Sequence, residues 1–189
     1  AEVGNLELAW LIPLSLVGTV CGWLYFVSEH ASEALAHAIG ERPVVKAMLA
    51  GLALAICGTV LPYTMFAGET QADVLMETYL TIPTGVLIAT GLVKAMLTPA
   101  LINLGWRGGH FFPVIFSGVS LGYGLAILTG ADPVFCVAVC TASTMGAVMR
   151  QPVMVVGLLL MCFPLKGIVC MIIAAVIAAG IPLPKSLRK

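Results

Sequence analysis

The chain has 189 residues, of which 60% are hydrophobic and 10% charged, and its formal net charge is zero. Soluble domains carry about 25% charged residues, so this chain has too few charges to cover the surface of a soluble fold of its size. Its neutral balance, with no basic patch, excludes nucleic acid as a partner. The composition therefore predicts an integral membrane protein, whose outer surface can stay apolar in a lipid bilayer.

Seven apolar segments follow one another along the chain, and several begin or end at proline. They are Leu8–Val27, Val44–Leu61, Ile82–Leu104, His110–Thr129, Pro133–Met149, Pro152–Phe163 and Leu165–Ile181. A full span needs about 20 apolar residues, and shorter helices are tolerated where they are buried in protein or line a cavity. We therefore predict an all-α fold in one domain, residues 1–189: a polytopic transmembrane protein with short, broken and tilted helices, as in transporters and channels.

Polar stretches separate some of these segments. Ser28–Gly40 places Glu and His at helical spacing, which favours a solvated helix end over a proton relay. Ala67–Tyr79 carries three acidic residues and is predicted to be a loop outside the membrane with a short interfacial helix. The last basic residues are Lys185, Arg188 and Lys189. Because Lys and Arg favour the cytoplasmic side, we expect this part of the chain there.

All six cysteines lie inside apolar segments, which predicts buried, inert thiols. Cys136 and Cys140 would share a helix face, but a metal site would need further Cys, His or carboxylate ligands nearby. No metal and no other cofactor is therefore expected. Neither a metalloprotease motif nor a nucleotide-binding loop occurs, and no Ser–His–Asp arrangement is recognisable, so we do not predict an enzyme.

The stretch from Lys94 to Gly118 has features typical of an anion site. An apolar helix is predicted to end near Leu104, and a glycine-rich turn leads to a new helix that begins around His110 to Pro113. The first N–H groups of a helix have no acceptor within the helix, and the helix dipole adds partial positive charge there. Such a helix start can bind an anion through its backbone alone.

The predicted anion-binding residues are consecutive: Gly108, Gly109, His110, Phe111, Phe112 and Pro113. Glycine lets an ion approach the main chain, Pro113 suits the first helical turn, and the two phenylalanines would wall the site with apolar rings. On these turn residues alone, a simple tight turn between two helices is an equally good interpretation.

Two basic residues would give this site electrostatic support. Lys94 is an ionisable residue inside an apolar segment, which is a functional hypothesis by default. It could instead snorkel or pair with a helix C-terminus. Arg107 lies in the turn itself and could draw anions toward the entrance, although plain solvation is the simpler interpretation.

The spacing of this stretch resembles the signature of the CLC chloride channel and transporter family. The matching residues are Lys94, Thr98, Gly105, Gly108, Gly109, Phe111, Pro113, Phe116 and Gly118. A second stretch resembles the family's G-x-x-x-R-x-P pattern through Gly146, Arg150 and Pro152. The resemblance covers most of the chain, from the Leu8 segment to about Leu183.

The resemblance implies that the chain is the second of two inverted repeats. It also implies that the chain transports chloride or another small anion as part of a passive channel or a proton-coupled exchanger. The anion would be held by the amides of His110 and Phe111. The first repeat would lie in a missing N-terminal half of the same protein, in the plasma membrane of a bacterium. A homodimer would form through Leu8–Val27, Pro152–Phe163 and Leu165–Ile181.

Some family features have no match in this sequence. The gating glutamate and the pore tyrosine are absent, and Met161 stands where an acidic residue often follows the R-x-P helix. A non-transporting membrane scaffold, or a half-transporter that needs a partner chain, are therefore alternatives. His110 replaces a residue that is usually aliphatic in the family. A charged imidazole would strengthen anion binding and make it pH-sensitive, but packing or a local hydrogen bond is the favoured role.

Overall fold

The computed structural model describes residues 4–65, 68–163, 168–184 and 187. Within these residues the fold is helical, without a β-strand, which confirms the predicted all-α class. Two short 3₁₀ helices lie at Pro62–Thr64 and Tyr79–Thr81. The α-helices are α1 (Asn5–Ile39), α2 (Pro43–Val60), α3 (Glu69–Thr78), α4 (Thr84–Asn103), α5 (Phe111–Thr129), α6 (Pro133–Met149), α7 (Pro152–Leu159) and α8 (Ile168–Gly180). Ala67, Leu165 and the basic residues Lys185, Arg188 and Lys189 lie outside the described part of the chain.

Several helix starts follow directly from local chemistry. Helices α2, α6 and α7 each begin at a proline, where the missing N–H is not needed. Asp132 caps α6, because its carboxylate accepts hydrogen bonds from the amides of Val134 (2.7 Å) and Phe135 (3.2 Å). The predicted breaks at these prolines are therefore real helix boundaries.

Two predicted segment ends are wrong. The first segment does not stop at Val27, because α1 continues through the polar stretch to Ile39. Asn103 of α4 stabilises this extension by donating to the Ser32 hydroxyl (2.9 Å) and to the Glu29 carbonyl (3.0 Å). The sixth segment does not reach Phe163, because α7 ends at Leu159 and a turn follows.

The early end of α7 also leaves one cysteine outside the helix. Cys162 lies in the turn after α7 and is exposed, so the predicted burial is wrong there. Cys57 on α2 is only half-buried. The other four thiols, Cys21, Cys136, Cys140 and Cys170, are buried as predicted.

Helix α6 is the centre of the fold. It packs against α1, α5 and α8, while α4 packs against α1 and α5. Every residue of α6 from Phe135 to Ala147 is buried. At about 1.5 Å per residue, its 17 residues fall short of the roughly 30 Å hydrocarbon core of a bilayer. Enclosure by other helices makes this short helix compatible with a membrane.

Close backbone contact holds α5 against α6. A Cβ built on Gly118 would lie 2.4 Å from the Cα of Thr141, and one built on Gly122 would lie 2.5 Å from the Cα of Val137. No side chain fits at either position. This is the close approach through small residues that is common between membrane helices.

Among the described residues, four helices are long and apolar enough to cross a membrane: α1, α2, α4 and α5. Helix α2 differs from the other three because most of its apolar surface is uncovered. Val44, Met48 and Val60 are each about 70% exposed, and Ala50 is the buried residue of this helix. Helix α2 therefore exposes a largely apolar surface, which suits an apolar environment.

Candidate anion-binding site

A glycine ends helix α4 and begins the turn that precedes α5. Gly105 has a φ of +96°, a left-handed conformation that favours glycine. Its amide donates to the Ile102 carbonyl (3.0 Å), and the amide of Trp106 donates to the Leu101 carbonyl (3.0 Å). These bonds satisfy carbonyls at the C-terminus of α4. The chain then runs through residues 106–109 to His110, which is the N-cap of α5.

A row of backbone amides follows this turn. Within the described residues, the amides of Gly108, Gly109, His110, Phe111 and Phe112 donate to no acceptor of the chain. The next residue is proline, which has no N–H, and the bond from Val114 to the His110 carbonyl (3.1 Å) comes after it. The turn and the start of α5 therefore present five successive amides without an acceptor in the described part of the chain, and the helix dipole adds partial positive charge at this point.

The two turn glycines leave the main chain open. Gly108 and Gly109 are exposed, and a Cβ built on either would meet no atom within 4 Å. Neither residue has a positive φ. Neither packing nor backbone conformation therefore requires glycine here, in contrast to Gly105.

A cavity of about 370 Å³ lies beside this turn. Helix α4 forms one wall, the turn after it forms another, and Leu54 of α2 closes part of a third side. The described lining residues are Leu54, Met65, Lys94, Leu97, Thr98, Leu101, Ile102, Trp106, Arg107, Gly108, Gly109 and Pro113. The structure thus brings both predicted cations to the same space as the turn glycines and Pro113.

The side chain of Lys94 is buried in the cavity wall, where it makes a hydrogen bond and lies near an aromatic ring. It is 4% exposed, and its Nζ donates to the Thr64 carbonyl over 2.6 Å. The Phe116 ring centroid lies 6.0 Å from the same nitrogen, within the range of a cation–π contact. The pairing with a helix C-terminus considered from the sequence is thus present, at the end of the 3₁₀ helix Pro62–Thr64. A positive charge in an apolar wall raises the electrostatic potential of the cavity.

His110, Phe111 and Phe112 do not line this cavity. The His110 ring stacks on Phe111 with centroids 4.6 Å apart and faces Tyr25 of α1 at 6.3 Å. Phe112 lines a separate space of about 230 Å³ beside α3. The expected aromatic walls of the anion site are therefore absent from the cavity. The side chain of His110 has a packing position, as the sequence favoured.

The second motif has a packing role. Arg150 ends α6 with a φ of +57°, and its guanidinium donates to the Ile181 carbonyl after α8 over 2.8 Å. A Cβ on Gly146 would lie 2.7 Å from the Ala175 carbonyl oxygen of α8. Gly146 and Arg150 thus hold α8 against α6.

Sequence reasoning missed residues of the site area that are distant from the turn in sequence. Leu54 and Met65 close the cavity although they lie about 40 to 50 positions before the turn, and Tyr25 supports His110 from α1. No local pattern marks them. Most of the chain is equally apolar or aromatic. Only the packing of α1 and α2 shows that these residues border the site.

These features define a class of protein: a polytopic helical membrane protein with open main-chain donors beside a cationic cavity. The model of the voltage gated chloride channel family matches residues 1–182 of the 189-residue chain. The chain therefore belongs to this family of chloride channels and transporters. No curated protein and no solved structure gives a significant match to the chain.

Proposed function

We propose that the chain carries chloride or another small anion across a membrane as part of a CLC-type channel or proton-coupled exchanger. The anion binds to the backbone amides at the start of α5. The observation that carries this proposal is the row of unsatisfied amides from Gly108 to Phe112, within the described residues, beside a cavity that holds Lys94 and Arg107.

The chemistry of this arrangement suits a transported anion. Amide donors supply partial positive charge without a full countercharge at contact, so an ion is bound and still released. Lys94 adds a positive charge in the cavity wall, where its Nζ donates to the Thr64 carbonyl. Open space above Gly108 and Gly109 lets an ion reach the main chain.

Chloride efflux from proteoliposomes tests the proposal. We would compare the unchanged chain with Gly109→Leu, which places a side chain over the amide row. Gly85→Leu is the matched control. A Cβ at Gly85 also meets no atom within 4 Å, and this residue lies in the first turn of α4, whereas Lys94 lies in its second half. We expect Gly109→Leu to lower the efflux rate at least tenfold, and Gly85→Leu to leave it within about twofold.

Efflux also separates the alternatives. If the unchanged chain gives no efflux alone but gives it when the family's other repeat is supplied as a partner chain, it is a half-transporter. If it binds no chloride and gives no efflux with that partner, the scaffold interpretation replaces the proposal. Equal efflux from the unchanged chain and Gly109→Leu would place the anion elsewhere.

We also propose a homodimer through the outer faces of α1, α7 and α8. These helices are neighbours, because α8 packs on both α1 and α7, and each exposes apolar side chains. Examples are Ile12 (59%), Val153 (87%) and Val169 (63%). Val153→Trp combined with Val169→Trp is expected to shift the protein to monomers in single-molecule photobleaching. Two-step bleaching that persists in this variant would exclude these faces.

A further inference from the structure

A second cavity lies between α3, α5 and the turn after α7. Its volume is about 230 Å³, below the range of about 300–1,000 Å³ that is usual for drug-sized ligands, so it suits a compact group. The described lining residues are Gly68, Ala72, Asp73, Met76, Phe112, Ile115, Phe116, Val119, Tyr123, Val137, Cys162 and Phe163. The described lining residues of this cavity and of the cavity beside the anion turn do not overlap.

Gly68 sets how closely α3 approaches α5 at this cavity. It is the N-cap of α3 and has a φ of +104°, a left-handed conformation that favours glycine. A Cβ built on Gly68 would lie 2.6 Å from the Cβ of Phe116, so no side chain fits there. Ala72 and Met76 follow Gly68 on the same face of α3. This face therefore forms the wall of the cavity that lies opposite α5.

Aromatic side chains are concentrated in this cavity. Three of the chain's seven phenylalanines and one of its four tyrosines line it. Phe112, Phe116 and Tyr123 come from α5, and Phe163 comes from the turn after α7. Tyr123 also stacks on Tyr79, with ring centroids 4.6 Å apart, which restrains its ring. The faces of aromatic rings attract cations, and groups of aromatic residues are a known means of recognising quaternary ammonium.

The charged part of the lining is a carboxylate. Asp73 is exposed, so its carboxylate lies where the cavity meets its surroundings, and the described lining includes no Lys, Arg or His. The other polar side chains are the Tyr123 hydroxyl and the Cys162 thiol. With so few acceptors, an ammonium that carries several N–H donors would leave some of them unsatisfied. A quaternary ammonium has no such donors.

We infer that this cavity binds a quaternary ammonium group, such as trimethylammonium. The methyl groups lie among Phe112, Phe116, Tyr123 and Phe163, and Asp73 supplies the opposite charge. The inference goes beyond the proposed anion transport and does not rest on it, because the two cavities have no described lining residue in common.

Two sources carry this group: a water-soluble quaternary amine such as choline, and the headgroup of a choline phospholipid. Helix α3 exposes the apolar side chains of Val74 and Met76 beside the charged Asp73. This mixture of apolar and charged groups suits the boundary between water and lipid, where both sources are present. The experiment below tests each source separately.

Cys162 provides a local reporter, because its thiol is exposed and lines the cavity. Methyl methanethiosulfonate is a small, neutral reagent: the thiolate attacks its sulfenyl sulfur, forms a mixed methyl disulfide and releases methanesulfinate. Replacing the half-buried Cys57 by alanine leaves Cys162 as the accessible thiol, since the other four are buried. Intact-mass spectrometry measures the labelling rate in maltoside detergent at constant chloride concentration.

We expect choline, or dihexanoylphosphatidylcholine below its micellar concentration, to slow labelling in a saturable way. The neutral choline isostere 3,3-dimethyl-1-butanol and dihexanoylphosphatidylglycerol should leave the rate unchanged. Slowing by choline supports the site with a water-soluble ligand. Slowing by the choline phospholipid without slowing by choline supports it with a lipid headgroup as the ligand.

Substitutions test the two parts of the site. Asp73→Asn should raise the half-protecting concentration about fivefold, since its carboxylate is exposed. Glu77→Gln is the matched control, because Glu77 is an exposed carboxylate one turn further along α3 that is not among the described lining residues. It should leave the concentration unchanged. Phe112→Leu, at a half-exposed position, should raise it several-fold by removing one ring.

Three results would overturn the inference: no slowing by choline or by the choline phospholipid, equal slowing by the neutral isostere, or equal protection of Asp73→Asn and Glu77→Gln. If Cys162 reacts too slowly, equilibrium dialysis of the same two ligands in radiolabelled form gives the same comparisons. Chloride calorimetry keeps the two proposals separable. Protection by choline in a protein that binds no chloride retains the ammonium site and removes the proposed function.

Discussion

The glycines inside α5 and the glycines just before it stand in opposite surroundings. At Gly118 and Gly122 a Cβ would fall within 2.5 Å of the main chain of α6. At Gly108 and Gly109 it would meet nothing within 4 Å. All four lie within 15 positions of each other.

The difference shows that glycine has two separate uses in this fold. Within α5 it permits helix–helix contact, which holds the central helix α6 in place. Before α5 it leaves the main chain uncovered next to amides that have no acceptor within the described residues. The first use is a matter of stability. The second is required neither by packing nor by backbone conformation, which is why we propose that it serves ligand binding.

The largest expected effect is on stability, at Gly118. Gly118→Val forces its side chain into the main chain of α6 at Thr141, and such overpacking costs about 3 kcal/mol in a well-packed core. Thermal unfolding in detergent should show a strong loss of stability or no folded protein. The control Gly85→Val should unfold near the temperature of the unchanged chain. A Gly118→Val protein as stable as that control would mean that α5 and α6 are not in backbone contact.

The smallest expected effect is at His110. Its ring stacks on Phe111 and faces Tyr25, and its amide, not its imidazole, belongs to the proposed site. His110→Phe keeps the aromatic packing. The chloride affinities of this variant and of the unchanged chain should therefore lie within about twofold of each other at every pH from 5.5 to 8. Affinity that rises with falling pH in the unchanged chain, and not in His110→Phe, would give the imidazole a direct part in anion binding.

Much of the helix order could be predicted from the sequence because proline and polar stretches mark the boundaries. Pro43, Pro133 and Pro152 each begin a helix. The helix start after the glycine-rich turn could be predicted because glycine and proline mark it, and the proposed anion site rests on the electrostatic character of such a helix start. The resemblance to the chloride channel family rested on the same residues, and the family match confirms it.

The remaining features depend on contacts between distant segments. The extension of α1 to Ile39 depends on Asn103, about 70 positions later. One partner of Lys94 is a carbonyl 30 positions earlier. The cavity depends on where α2 lies, and this helix is so uniformly apolar that its sequence does not indicate which side faces Leu101. For the same reason the sequence did not indicate that Phe112 lines a separate cavity.

Chloride binding measured by isothermal titration calorimetry, on the purified chain in detergent, tests the anion site most directly because it does not require a complete transport pathway. The unchanged chain and Gly85→Leu should bind chloride with equal affinity. Gly109→Leu should bind it at least tenfold more weakly at unchanged thermal stability. Equal chloride binding by all three proteins would contradict an anion site at the start of α5.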